Sequence, residues 1–219
     1  MNALVRTALR NALRTGLILL VFALVGTALL AYTHDRTEPT IAASAEAEKR
    51  ALLGQVLPAA LHDNDLLAQV RTLPPDEALG TRHASSLWLA KQGDTVTALV
   101  LEAVAPDGYS GDIALLIGVT RAGSVTGVRV TTHRETPGLG DYIDHAKSPW
   151  IEQFAGKSLT DPAAKRWKVV KDGGAFDARA GATITPRAVV KAVKSALAWV
   201  DAHPELWRAA PTATPRSTP

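Results

Sequence analysis

Leu87-Trp-Leu-Ala-Lys91, Thr95-Val-Thr-Ala-Leu-Val-Leu-Glu-Ala-Val104, Ile113-Ala-Leu-Leu-Ile-Gly-Val-Thr120 and Ser124-Val-Thr-Gly-Val-Arg-Val-Thr-Thr-His133 are four consecutive runs dominated by Val, Ile, Leu and Thr. Turn-forming residues separate them: Gln92-Gly93-Asp94, Pro106-Asp107-Gly108 and Arg121-Ala122-Gly123. β-branched runs punctuated in this way read as strands, and links so short join antiparallel neighbours. Further along, Val189, Val190, Val193, Leu197 and Val200 recur at helical spacing behind Thr185-Pro186. A hydroxyl that can cap and a proline suited to a first turn predict a helix start there, with Thr185 as the cap. Between these elements, Ser148 through Phe154 predicts a helix ended by Gly156, and Trp167–Lys171 a further strand. The expected class is α+β, an antiparallel sheet with helices packed against it.

Upstream, no residue from Thr15 to Thr33 is charged, and Gly16 to Tyr32 is almost wholly apolar. About 19 residues at 1.5 Å each reach roughly 28 Å, close to the hydrocarbon thickness of a bilayer. A lipid-embedded segment must pair its backbone internally, so this predicts one transmembrane helix. Arg6, Arg10 and Arg14 precede it, and only Arg36 follows closely. That bias places the N-terminus in the cytoplasm and the remainder outside the membrane. A cleaved signal peptide is the alternative, with Gly26-Thr27-Ala28 as small residues for cleavage, but the length favours a retained anchor. Thr37–Leu57 then predicts a separate helix, with Pro39 in its first turn and Pro58 after its end. His62–His83, broken by Pro74-Pro75 and Gly80, carries no clear signal. The expected organisation is an anchor over 1–33, a lead-in over 34–85, a folded domain over 86–208 and a disordered tail over 209–219, the last from its Pro, Thr and Ser content.

Composition narrows the function. The 219 residues hold 24 Lys and Arg against 21 Asp and Glu. Removing the three N-terminal arginines leaves a body of zero formal charge, so no basic face for nucleic acid is expected. There is no cysteine, which excludes disulfides, thiolate metal sites and cysteine nucleophiles.

Two glycine-containing segments are the candidates for chemistry. Asp177-Ala-Arg-Ala-Gly181-Ala182-Thr183-Ile184-Thr185-Pro186 sets small residues and a hydroxyl just before a helix N-terminus, where free amides and the helix dipole favour a phosphate. An ordinary capped helix start reads the same residues without a ligand. His133-Arg-Glu135-Thr136-Pro137-Gly138-Leu139-Gly140-Asp141 follows a strand and can expose backbone amides, or can be a plain connection. No metal-ligand spacing, nucleophile elbow, P-loop or dinucleotide fingerprint is present.

Taken with the N-terminal span, Ala105-Pro-Asp-Gly-Tyr109-Ser-Gly111, Trp150 with Phe154-Ala-Gly156, Lys171-Asp-Gly-Gly174 and Gly181-Ala-Thr-Ile-Thr-Pro-Arg-Ala-Val-Val190, these segments resemble the G subunit of the Rnf/Rsx-type ion-translocating electron-transport complex. The resemblance implies an FMN-binding domain held outside the cytoplasmic membrane, with one FMN joined through its phosphate to a threonine by a flavin transferase. The family's attachment pattern falls on Asp177, Ala180, Gly181, Ala182 and the acceptor Thr183; Ala180 stands where the pattern has Ser or Thr. It further implies that Thr185, Glu135, Thr136, Gly138 and Leu139 contribute to the flavin site, Gly138 and Gly140 by close backbone approach and Leu139 by packing on the ring. The implied partners are the other subunits of the complex, which translocate the ion. The related C subunit of the sodium-pumping NADH:quinone reductase, and a cofactor-free membrane-anchored adaptor, are the alternatives.

Overall fold

The computed structural model describes residues 3–208; the expected tail over 209–219 lies outside the described residues. Two compact units meet between Lys49 and Arg50. The first is helical, as the uncharged span predicts. Helix α1 runs without a break over Ala3–Val56, so its last turns belong to the second unit. Its apolar stretch is the one helix among the described residues long and apolar enough to cross a membrane, and none of that stretch is buried by protein.

The separate helix expected over Thr37–Leu57 is instead the continuation of α1, with Pro39 in its interior. Thr33 and Thr37 lie within this continuous helix. Their hydroxyls donate back to Leu29 O and Thr33 O at 2.9 and 2.8 Å, a helix-compatible way of satisfying them.

The second unit begins at Arg50 and so takes in most of the expected lead-in over 34–85. Its centre is a five-stranded meander in sequence order: β1 (Val70–Leu73), β2 (Ser85–Gln92), β3 (Thr95–Ala105), β4 (Ile113–Thr120) and β5 (Val125–Thr132), every pair antiparallel. The four strands read from sequence lie within two residues of these bounds; β1 adds a fifth in the segment that carried no signal.

Both faces of the sheet are covered, which explains why Ala98–Leu101 of β3 and Ile113–Val119 of β4 are apolar runs rather than alternating. On one face Leu99, Leu101, Leu115, Ile117 and Val119 join Val189, Val193, Leu197 and Val200 of helix α2 (Ile184–Ala202) in the main core. On the other, Trp88, Ala98, Val100 and Leu116 pack on Leu53, Val56 and Leu57 at the end of α1.

Two expected elements differ. Ser148–Phe154 is a 3-10 helix over Pro149–Phe154, with the Ser148 hydroxyl accepting the Trp150 N–H at 3.1 Å. Seven residues between a capping serine and Gly156 are too few to nucleate a stable α-helix. Trp167–Lys171 is not a strand. Only Val169 forms a bridge, to Phe176, and 3-10 turns flank it at Ala164–Arg166 and Val170–Asp172. The chain folds back at once: Lys168 O accepts from Ala175 and Phe176, leaving no edge for a longer ladder.

Candidate functional site

A cavity of about 310 Å³ opens where three segments converge: the turn after β3, the loop after β5 and the first turn of α2. Its walls are Tyr109 from the first; Glu135, Thr136, Leu139 and Gly140 from the second; and Gly181 to Thr185 from the third. Eight of the nine residues expected at the site are therefore brought to one place. Gly138 is the exception. It lies at an exposed turn with φ +77°, a β-carbon added there would meet nothing within 4 Å, and its N–H donates to Asp141 Oδ1 at 2.8 Å.

The glycine of close approach is Gly140. A Cβ there would stand 2.9 Å from Glu135 Oε2 and 3.0 Å from Thr185 Oγ1. Tyr109 and Ile184 line the cavity without having been expected there from sequence. Tyr109 offers only the weak signal of an aromatic in a Pro-Asp-Gly turn.

Glu135 organises the site. It is 3% exposed; its Oε2 accepts the Thr185 hydroxyl at 2.5 Å and its Oε1 accepts the Ser110 N–H at 3.0 Å. One carboxylate thus ties the Tyr109 turn to the start of α2. Thr185 is consequently not the helix cap that its position before Pro186 predicts: its hydroxyl is turned inward and already committed to Glu135. The residue preceding the helix is Thr183, whose side chain makes no capping hydrogen bond and, among the described residues, no other. Half-buried, it faces the cavity.

The two threonines, two residues apart, differ in availability. The first N–H groups of α2 also lack acceptors within the helix, and Pro186 supplies none. A free hydroxyl beside free amides suits a phosphoester. Tyr109, Leu139 and Ile184, exposed by 68%, 53% and 47%, form an apolar collar suited to a flat aromatic ring. The residues present fit FMN.

The segment leading to Thr183 is braced from behind. Tyr142 O–H donates to Ala182 O at 3.3 Å and accepts the Arg179 N–H at 3.2 Å, while the Arg179 guanidinium lies 4.8 Å from the centre of its ring. Burial raises the Tyr142 pKa above the usual phenol range, and the hydrogen bond from Arg179 partly offsets this. Gly181 takes φ +88°, a conformation in which a side chain is strained. A second cavity, of about 290 Å³, lies at the other end of α2 between Arg121, Leu159 and Trp207; no residue of the first faces it.

A hydroxyl-bearing cavity at a helix N-terminus, on an antiparallel sheet that follows a membrane-length helix in the chain, defines a tethered cofactor-binding domain. Its class is given by residues 108–198, which match the family described as FMN-binding domain, and residues 1–56 match the RnfG N-terminal region. Across most of its length the chain is similar to proteins named as the G subunit of the ion-translocating oxidoreductase complex. It is 52% identical to that of Pseudomonas aeruginosa over 202 residues, 91% of this chain and 92% of the other. It is 46% identical to that of Vibrio atlanticus (92% and 96%) and 47% identical to that of Yersinia pestis (90% and 93%). The chain belongs to this family of G subunits.

Proposed function

We propose that the protein is the membrane-anchored flavin subunit of an ion-translocating oxidoreductase complex, carrying electrons through one FMN joined to Thr183. The supporting observation is the contrast between two hydroxyls in one cavity. Thr185 Oγ1 is spent on Glu135, whereas Thr183 Oγ1 is uncommitted. Attachment joins the Thr183 oxygen to the phosphorus of an FMN donor brought by a flavin transferase. The hydroxyl proton passes to that enzyme's base, and the donor's leaving group departs with the electrons of its bond.

Bound FMN supplies the capacity to take up and release electrons. The chain's own residues hold it. The amides of the first turn of α2 face the phosphate charge, and the helix dipole adds to their effect. Leu139, Ile184 and Tyr109 exclude water from the ring. A covalent link keeps the cofactor from diffusing away on the outer side of the cytoplasmic membrane. The arginine cluster before the apolar span orients the domain to that side. The other subunits of the complex are its electron partners.

Thr183→Val keeps the branched shape and removes the nucleophile. The variant is expected to fold, insert and show no fluorescent band on a denaturing gel under ultraviolet light. Thr185→Val is expected to keep the band. It leaves Glu135 Oε2 short of a donor inside the protein, at a cost of about 1–3 kcal/mol in unfolding free energy. A band that persists in Thr183→Val and vanishes in Thr185→Val overturns the assignment.

A further inference from the structure

We infer that Tyr142, Trp150 and Gln153 form a cradle that presents residues 177–183 to the flavin-attaching enzyme, holding the backbone of Asp177, Arg179 and Ala182 and leaving that of Ala178, Ala180 and Gly181 for that enzyme to grip. The inference rests on the Thr183 reading.

The segment has few ties of its own. Among the described residues, the backbone pair within 177–182 is Ala182 N–H to Arg179 O. The remaining contacts come from side chains of a single stretch. Trp150 Nε1 donates to Asp177 O at 2.7 Å, the Asp177 N–H donates to Gln153 Oε1 at 2.8 Å, and Tyr142 O–H serves Arg179 N and Ala182 O. The backbone groups of Ala178, Ala180 and Gly181 have no partner among the described residues. Asp177, Arg179, Ala180 and Gly181 are exposed.

The cradle is anchored in the core. Tyr142 and Trp150 are buried, their rings edge-to-face at 5.5 Å, and Trp150 meets Phe154 at 5.6 Å. The polar tips of Tyr142 and Trp150 reach the segment, and the Arg179 guanidinium lies over the Tyr142 ring. A surface segment held in place from one side, turned at 180–181 and with unpaired backbone groups, can be engaged by another protein through main-chain hydrogen bonds. Fixing it beforehand lowers the ordering cost of engagement. Recognition through the backbone also accounts for Ala180: a side chain at that position contributes little if its N–H and C=O are what is gripped.

The test uses the full, unmodified chain in detergent with a purified flavin transferase and its flavin donor, following flavin incorporation by intact mass. Tyr142→Phe keeps the ring stack and loses both hydrogen bonds of the hydroxyl; its initial rate is expected to fall about tenfold, the factor that corresponds to about 1.4 kcal/mol of lost positioning. Gln153→Ala lies on the half-buried side and is expected to slow in the same way. Gln153→Glu retains an acceptor for the Asp177 N–H and is expected to recover the wild-type rate. Faster exchange of the Arg179 amide in Tyr142→Phe and of the Asp177 amide in Gln153→Ala should accompany the loss. Wild-type rates in both variants overturn the cradle, as does slow modification in Gln153→Ala that Gln153→Glu does not repair. If the wild type itself takes no flavin, the attachment reading fails and the cradle with it.

Discussion

Arg187, on the first turn of α2, grips Asp172 with two hydrogen bonds of 2.6 Å, Nε to Oδ2 and Nη2 to Oδ1. Such a bidentate pair is geometrically specific even at the surface. It fastens the turn that follows Val169 to the start of the helix that carries Thr185. The hydrogen bonds from Arg187 hold the Asp172 carboxyl below the usual carboxylate range; Arg187, Lys168 and Lys171 add attraction, and partial desolvation works the other way. The folded state therefore binds this proton more weakly than the unfolded chain. The pair stabilises the fold above the ordinary carboxylate pKa, and its contribution is lost as pH falls through that range toward the lowered folded value. Asp172→Asn is expected to unfold at lower denaturant than wild type at neutral pH, with the two curves converging in acid. A difference that grows as pH falls would contradict the assignment.

The junction between the end of α1 and the sheet depends on two glycines inside apolar strands. At Gly118, a Cβ would overlap Thr126 Oγ1 and stand 2.6 Å from Val56 O; at Gly127 it would stand 2.9 Å from Val56 Cα. Thr126 Oγ1 donates to Val56 O at 2.5 Å, and Arg129 Nε donates to Gln55 Oε1 at 3.0 Å, so the helix end is tied down as well as closely packed. Burial lowers the Arg129 pKa from its usual range. Because backbone atoms of Val56 are what a new methyl would meet at both positions, relief by rotamer change is not available. Gly118→Ala and Gly127→Ala are each expected to cost about 1–3 kcal/mol, read from denaturant midpoints of the unmodified protein. Neither glycine signals helix contact in the sequence. A glycine within a strand indicates a bulge or a close approach, and here the register shifts beside Gly118, while what approaches comes from a segment 62 residues earlier. At the same scale, Trp167–Lys171 carries strand-forming residues and yet is not one, because Ala175 and Phe176 capture the carbonyl of Lys168.

At the scale of the molecule, a membrane-length helix precedes a domain whose cavity holds a free hydroxyl. The proposed orientation follows from charge, since Arg6, Arg10 and Arg14 precede the span. Protease added to spheroplasts is expected to digest residues 50–208 while leaving them attached to membranes until cleavage. Full protection from that protease would reverse the orientation, and a soluble product lacking residues 1–28 would indicate a cleaved leader in place of an anchor.

Local chemistry along the chain was enough to determine the anchor helix, four of the five strands, their antiparallel order and the buried stripe of α2. Each depends on the spacing of apolar residues and on turn residues close by, and a run of adjacent side chains reports such features directly. The collection of Thr183, Thr185, Glu135 and Leu139 into one site was legible only through resemblance to a family. Tertiary structure alone decided the rest: that Thr185 serves Glu135 instead of capping its helix, that of the two glycines expected to make a close approach only Gly140 does, and that Tyr109 completes the wall. Glu135 and Thr185 are 50 residues apart, and Ser110 lies 25 residues from Glu135 on the other side. A hydroxyl can cap a helix or bond to a carboxylate with similar energy, so its role is set by which acceptor the fold brings within hydrogen-bonding reach, and periodicity carries no information about that.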